Sequence, residues 1–172
     1  MKYVYDAKDT TITYVYHDGG RADAGFKGYD SLDARDSDCV CRAIAIAAEL
    51  PYQQVHDQLA EAYATQRRRA GLSLPIRVDL RWERTQKWFK DHMAELGFVW
   101  TDTAPEDKKI SGRHDCFPVH LRADELPSGR LVCELSGRSR SVAVIDGVIY
   151  DTADPNAGVR FHRGVYGYWK LS

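Results

Sequence analysis

The chain has 172 residues, of which 44% are hydrophobic and 28% charged, with a formal net charge of −1. That length allows one domain with a sizeable core and is short for two, and near-neutrality removes any global pull toward nucleic acid or anionic membrane. No apolar run approaches membrane-spanning length, and four cysteines are too few for a disulfide scaffold, so the expected setting is reducing and cytoplasmic.

Met1–Asp6 lacks the apolar stretch of a signal peptide. Lys2–Asp6 and Thr10–Tyr16, rich in Tyr, Val, Ile and Thr, read as short strands. Asp18-Gly19-Gly20 turns the chain, and residues 21–35 form a loop leading to a helix. The acids Asp33, Asp36 and Asp38 lack the spacing of a calcium loop, so capping and solvation account for them.

The helix is Cys39–Leu50, in which Arg42 and Glu49 are the charged residues. At ~100° per residue these two fall on one narrow polar line, and a helix apolar over the rest of its circumference belongs in a core. Asp36, Ser37 and Asp38 supply N-cap candidates. Cys39 then sits in the first turn, where the positive end of the helix dipole favours thiolate. Core filler is the plainer role for a free cysteine in an Ala/Ile-rich helix. Cys41 points ~200° away from Cys39, which argues against a Cys-x-Cys metal clip.

Pro51 suits the first turn of a second helix, running to about Gln66, with Tyr52, Val55, Leu59, Ala62 and Tyr63 as its apolar stripe. Arg67-Arg68-Arg69 complement the dipole at its end; contact with phosphate is the alternative. A third helix, Asp79–Leu96, buries Trp82, Thr85, Phe89, Met93 and Leu96, and Gly97 ends it. Phe98–Thr101 reads as a strand and residues 102–116 as a polar loop. Its His114 and Cys116 lack a second ligand pair, so no metal is expected, nor any other cofactor.

From Phe117 onward the pattern turns to β. Arg130–Leu135 is a strand, and Ser139–Ile145 returns through Asp146-Gly147 as Val148–Thr152, the strongest short hairpin signal available. A two-residue loop pairs Ile145 with Val148, which places Arg140, Val142 and Asp151 on one face. Arg140 and Asp151 become diagonal neighbours, ~7–8 Å apart and within reach of a long side chain. A strand-end acid feeding the turn at Asp154-Pro155-Asn156 is the other reading of Asp151. Tyr166–Leu171 is the last strand. The expectation is one α+β domain over residues 1–172: N-terminal strands and loop (1–35), a helical block carrying Cys39 (36–97), and a mostly β part (98–172) forming an antiparallel sheet.

Asp38-Cys39-Val40-Cys41-Arg42-Ala43-Ile44-Ala45 resembles the nucleophile segment of small papain-like cysteine peptidases. Val119–Leu131 and Val142–Thr152 are similar to segments of uncharacterised bacterial and bacteriophage proteins of that superfamily. The order, Cys then His on a strand then Asp on the next, is similar to that of peptidase domains that trim bacteriocin leaders. The resemblance implies a papain-like fold, Cys39 as nucleophile, Asp151 as the carboxylate that orients a histidine, and a phage-borne protein in host cytoplasm. In the expected place of that histidine stands Arg140, which does not release its proton and so cannot act as general base. It can pair with Asp151 and favour thiolate at Cys39. His120, on a candidate strand, is the substitute base; a structural histidine at the sheet edge is its plainer role. A glutamine upstream of Cys39, the papain-type oxyanion donor, is missing.

Three functions follow as expectations. One is a thiol hydrolase acting on a peptide or isopeptide carbonyl, with Cys39, Asp151 and His120 as the catalytic set and Asp38 and Arg140 in binding roles. Another is a scaffold without turnover that binds a peptide or protein and inhibits or redirects a host factor, with Arg140–Asp151 as a structural ion pair. Nucleic-acid binding through Arg67–Arg69 is the least favoured, and no membrane partner is expected. The peptidase reading requires the Cys39 sulfur to face the carboxylate of the Asp-Gly ribbon; a sulfur sealed in the interior, or a ribbon on the far side of the molecule, removes the peptidase lineage and its chemistry.

Overall fold

The computed structural model describes residues 13–26, 38–73, 86–103, 125–135, 140–154 and 165–172. Its strands are β1 (Tyr14–Tyr16), β2 (Phe98–Asp102), β3 (Arg130–Leu135), β4 (Ser141–Ile145), β5 (Val148–Asp151) and β6 (Val165–Leu171). The helices among those residues are α1 (Cys39–Ala48), α2 (Tyr52–Arg69) and α3 (Lys87–Glu95). The strands form one sheet in the order β1-β5-β4-β3-β6-β2. The α+β class therefore holds. The sheet departs from the expected antiparallel one at its edge, where β1 pairs parallel with β5. A parallel neighbour needs a long crossover, and the helical block plus the hairpin lies between these strands in sequence.

Asp146 and Gly147 both adopt positive φ, 49° and 81°, the geometry of a type I′ hairpin turn. The β4–β5 register then pairs Ile145 with Val148, Val144 with Ile149 and Ala143 with Tyr150, beginning where the Asp-Gly loop put it. Asp146 also ties this turn to the start of β3: its carboxylate accepts the Gly129 N–H at 2.8 Å, and its own N–H donates to the Gly129 carbonyl at 3.1 Å.

Alternation along the strands builds two apolar clusters. Val132, Ala143 and Trp169 join α1, α2 and α3 in one; Leu131, Cys133, Leu135, Val142, Val144, Ile149 and Val165 form the other. Of the expected stripe on α2, Tyr52, Val55, Leu59 and Tyr63 are buried, while Ala62 is half-buried. The helix continues past Gln66 to Arg69, and Pro51 stands at its N-cap. On α3, Phe89 and Met93 are buried, Leu96 is half-buried, and Gly97 has φ +87°. Trp82 and Thr85 lie outside the described residues. Gly167 on β6 is required by packing, since a Cβ there would overlap the Trp100 ring.

The last turn of α1 is closed by side-chain chemistry from the sheet. Glu49 adopts the left-handed conformation at the C-cap. Arg130, at the start of β3, donates to the Ala47 carbonyl at 2.7 Å and the Ile46 carbonyl at 3.1 Å, and pairs with Glu49 at 2.8 Å. The guanidinium adds a donor to carbonyls of the last turn, where the Ile46 carbonyl otherwise accepts the Glu49 N–H at 3.4 Å, and complements the negative end of the dipole. Arg130→Met should lower stability by about 1–2 kcal/mol, seen as a lower urea midpoint at unchanged m-value.

Candidate active site

Helix α1 begins at Cys39 and lies across the β4–β5 ribbon, so its first turn, the start of β4 and the end of β5 converge. The Ser141 backbone N–H donates to the Cys39 sulfur at 3.4 Å. Cys39 is sealed in the interior, with 1% of its surface exposed. The sulfur thus meets the ribbon as the sequence requires, yet it is closed to solvent.

Asp151 is 3% exposed. Its Oδ2 accepts from Arg140 Nε at 2.5 Å. Its Oδ1 accepts from an Arg42 terminal nitrogen at 3.3 Å and from the Thr152 backbone N–H at 2.7 Å. Its backbone carbonyl receives the Tyr14 hydroxyl at 3.1 Å and the His17 N–H at 2.9 Å. The diagonal approach of Arg140 and Asp151 expected from the hairpin is therefore a direct ion pair.

Arg42 corrects the sequence reading. The helical wheel puts it on a polar line with Glu49, yet it is 1% exposed and its guanidinium bridges Asp38 and Asp151. A buried cation needs carboxylates: Asp38 supplies one from a turn back on the same helix, and the second, Asp151, comes from β5, 109 residues on. Asp38 is corrected with it. It stands at the N-cap of α1 but makes no side-chain cap bond. Its carboxylate faces Arg42 instead, accepts the Tyr52 hydroxyl at 3.0 Å, and stands 2.9 Å from Arg21 Nε. Gly19 (φ +69°) packs on the same turn, where a Cβ would sit 3.1 Å from the Arg42 carbonyl oxygen.

His120, proposed as substitute base, lies outside the described residues, as do His114, Cys116 and His162. His17 Nδ1 accepts the Gly19 N–H at 2.9 Å. His56 is 3.0 Å from Asp57 and packs beside Phe26 and Tyr52. His92, partly buried on α3, has its pKa lowered by desolvation. Among the described residues, the nitrogens on the Asp151 carboxylate belong to Arg42, Arg140 and Thr152. Sequence reasoning named Arg140 but missed Arg42, Arg21 and Tyr52 as partners. An arginine in an otherwise apolar helix was the available signal.

Cys41 points elsewhere, with its thiol 3.9 Å from the Tyr52 carbonyl oxygen, and burial pushes its pKa up to about 12. Burial also raises the pKa of Cys133. Among the described residues, no group of three His, Cys, Asp or Glu side chains is placed to hold a metal ion. No described helix is long and apolar enough to cross a membrane. Comparison with known proteins returns no match among family models, curated proteins or solved structures.

Two measurements check this geometry. Arg42→Met leaves Asp38 and Asp151 short of a buried cation and should cost roughly 3–5 kcal/mol. Arg140→Met leaves Asp151 with Arg42 and should cost about 1 kcal/mol, so the order of the two losses in denaturant melts is decisive. At pH 8 in native protein, Cys41 should alkylate roughly a thousandfold more slowly than a free thiol. Its rate should keep rising with pH as far as about 12, because its folded pKa lies above the model value of 9.0.

Proposed function

We propose that this chain binds a peptide or protein without cleaving it. The observation that carries the reading is the occupancy of Asp151, both of whose carboxylate oxygens are held by arginine guanidinium groups, with the Thr152 N–H on one of them. Cys–His hydrolysis needs a base that takes a proton and returns it to the leaving amine. Arginine holds its proton, so Arg140 supplies charge to this position and no shuttle. Closure of the Cys39 sulfur weighs against hydrolysis and, by the same measure, against a papain-like lineage.

The arrangement has the order of a peptidase site: a sulfur at a helix N-terminus, a cation at 140 just before β4 and an acid at 151 at the end of β5. A phage-borne protein of this form would hold a host peptide or protein segment without consuming it. The hydrolase reading keeps one observation, the Cys39 sulfur at the helix tip with a backbone donor from Ser141.

The test is Arg140→His. Wild-type protein should leave a peptide pool intact and react sluggishly with a peptidyl electrophile. Arg140→His restores an imidazole beside Asp151 and should accelerate selective labelling of Cys39 near neutral pH by about 10²-fold or more, the scale of positioned acid–base catalysis. Cys39-dependent hydrolysis by the wild-type chain would sink the proposal in favour of the hydrolase reading.

A further inference from the structure

Asp151 is the acid of the proposed site, and its orientation decides what residue 140 can do. Three features set that orientation without Arg140. Its backbone carbonyl is anchored by the Tyr14 hydroxyl and the His17 N–H, both from the β1 edge. Its Oδ1 takes the Thr152 N–H at 2.7 Å. The same Oδ1 faces the Arg42 guanidinium at 3.3 Å. Arg42 is in turn fixed: it is closed to solvent, pairs with Asp38 one turn back on its own helix, and carries Gly19 packed on its backbone. Arg140 is different in kind. It precedes β4, its side chain is 22% exposed, and it reaches the other oxygen, Oδ2.

We infer that Arg42 is the positioning residue of this site: it fastens Asp151 by Oδ1 to helix α1 and so presents Oδ2 to whatever side chain stands at position 140. The inference rests on the proposed function only in naming 140 as the position where a base would stand. A planar guanidinium suits this task because its two terminal nitrogens diverge toward two carboxylates, whereas the compact ammonium of lysine keeps the charge and loses the fork. Arg140 is then the exchangeable member of the pair. Arg42 acts through Asp151.

Amide NMR on the full chain tests this, with the Thr152 proton as reporter, since its N–H donates to Oδ1 in a charge-assisted bond. Asp151→Asn sets the Thr152 position for a lost carboxylate. Arg140→Met should leave the Thr152 resonance at its wild-type position, Arg42→Met should move it to the Asp151→Asn position, and Arg42→Lys should place it between. A Thr152 resonance that moves to the Asp151→Asn position in Arg140→Met overturns the inference. So does one that stays in place in a folded Arg42→Met. If Arg42→Met does not fold, Arg140→Met and Arg42→Lys still decide: Arg42→Lys at the wild-type position together with a moved Arg140→Met overturns it. A purely structural Arg42 would lower the melting temperature of a folded variant and leave Thr152 where it is. The reporter reads orientation and not turnover, so its failure leaves the proposed function standing. Hydrolysis by the wild-type chain would sink that function and leave the Thr152 result intact.

Discussion

The structure depends on a guanidinium closed off from water. Taking Arg42 and Asp151 out of water costs several kcal/mol per ion, and their mutual attraction repays that only if geometry and further hydrogen bonds are good. Here they are: Arg42 has two carboxylates, and Asp151 has two guanidinium groups and a backbone N–H. Such a centre adds little net stability over an apolar one of equal volume. Its stronger effect is on arrangement, because shifting α1 along the ribbon would leave charges buried and unpaired. Asp38 extends the same constraint to the 17–26 turn through Arg21 and to α2 through Tyr52, and Asp151 extends it to β1.

The two ends of the sheet are held by different physics. At the β6–β2 end, Trp88, Phe89, Trp169 and Trp100 follow one another with ring centroids 5.8, 6.1 and 5.1 Å apart, and packing in place of charge sets the register. At the β4–β5–β1 end, the ion pairs do so. An aromatic cluster tolerates small displacements, since its attraction is spread over many weak contacts. A buried ion pair does not, and Cys39, Arg140 and Asp151 are at that end.

How much of this was legible in the chain depends on range. The hairpin register followed from Asp146-Gly147, because only a primed turn fits the strand twist and such turns demand positive φ. The approach of Arg140 to Asp151 followed from it. The N-terminus of α1 and the buried faces of α2 and α3 were also readable from short polar residues and periodicity. Arg42 was not. Periodicity assigns a face from a residue's own polarity, and it has no access to a carboxylate that topology delivers from β5. Asp38 read as a cap when its partners are Arg42 one turn on, which the i,i+4 spacing allowed, and Arg21 and Tyr52, which the fold delivers. The parallel edge strand β1 was hidden likewise, since strand composition signals existence but not partner.

The centre that holds the fold together also sets its chemistry. A triad carboxylate works by accepting from an imidazole N–H and stabilising the imidazolium that forms during the reaction. Its charge must therefore be available to a partner that gains and loses a proton. In this chain the charge of Asp151 is met by two cations that never titrate at ordinary pH. Arg140 brings charge and no proton shuttle, while Arg42, by answering both Asp38 and Asp151, makes the acid tolerable at 3% exposure whether or not anything stands at 140. The acid thus keeps its place by contacts that are independent of residue 140.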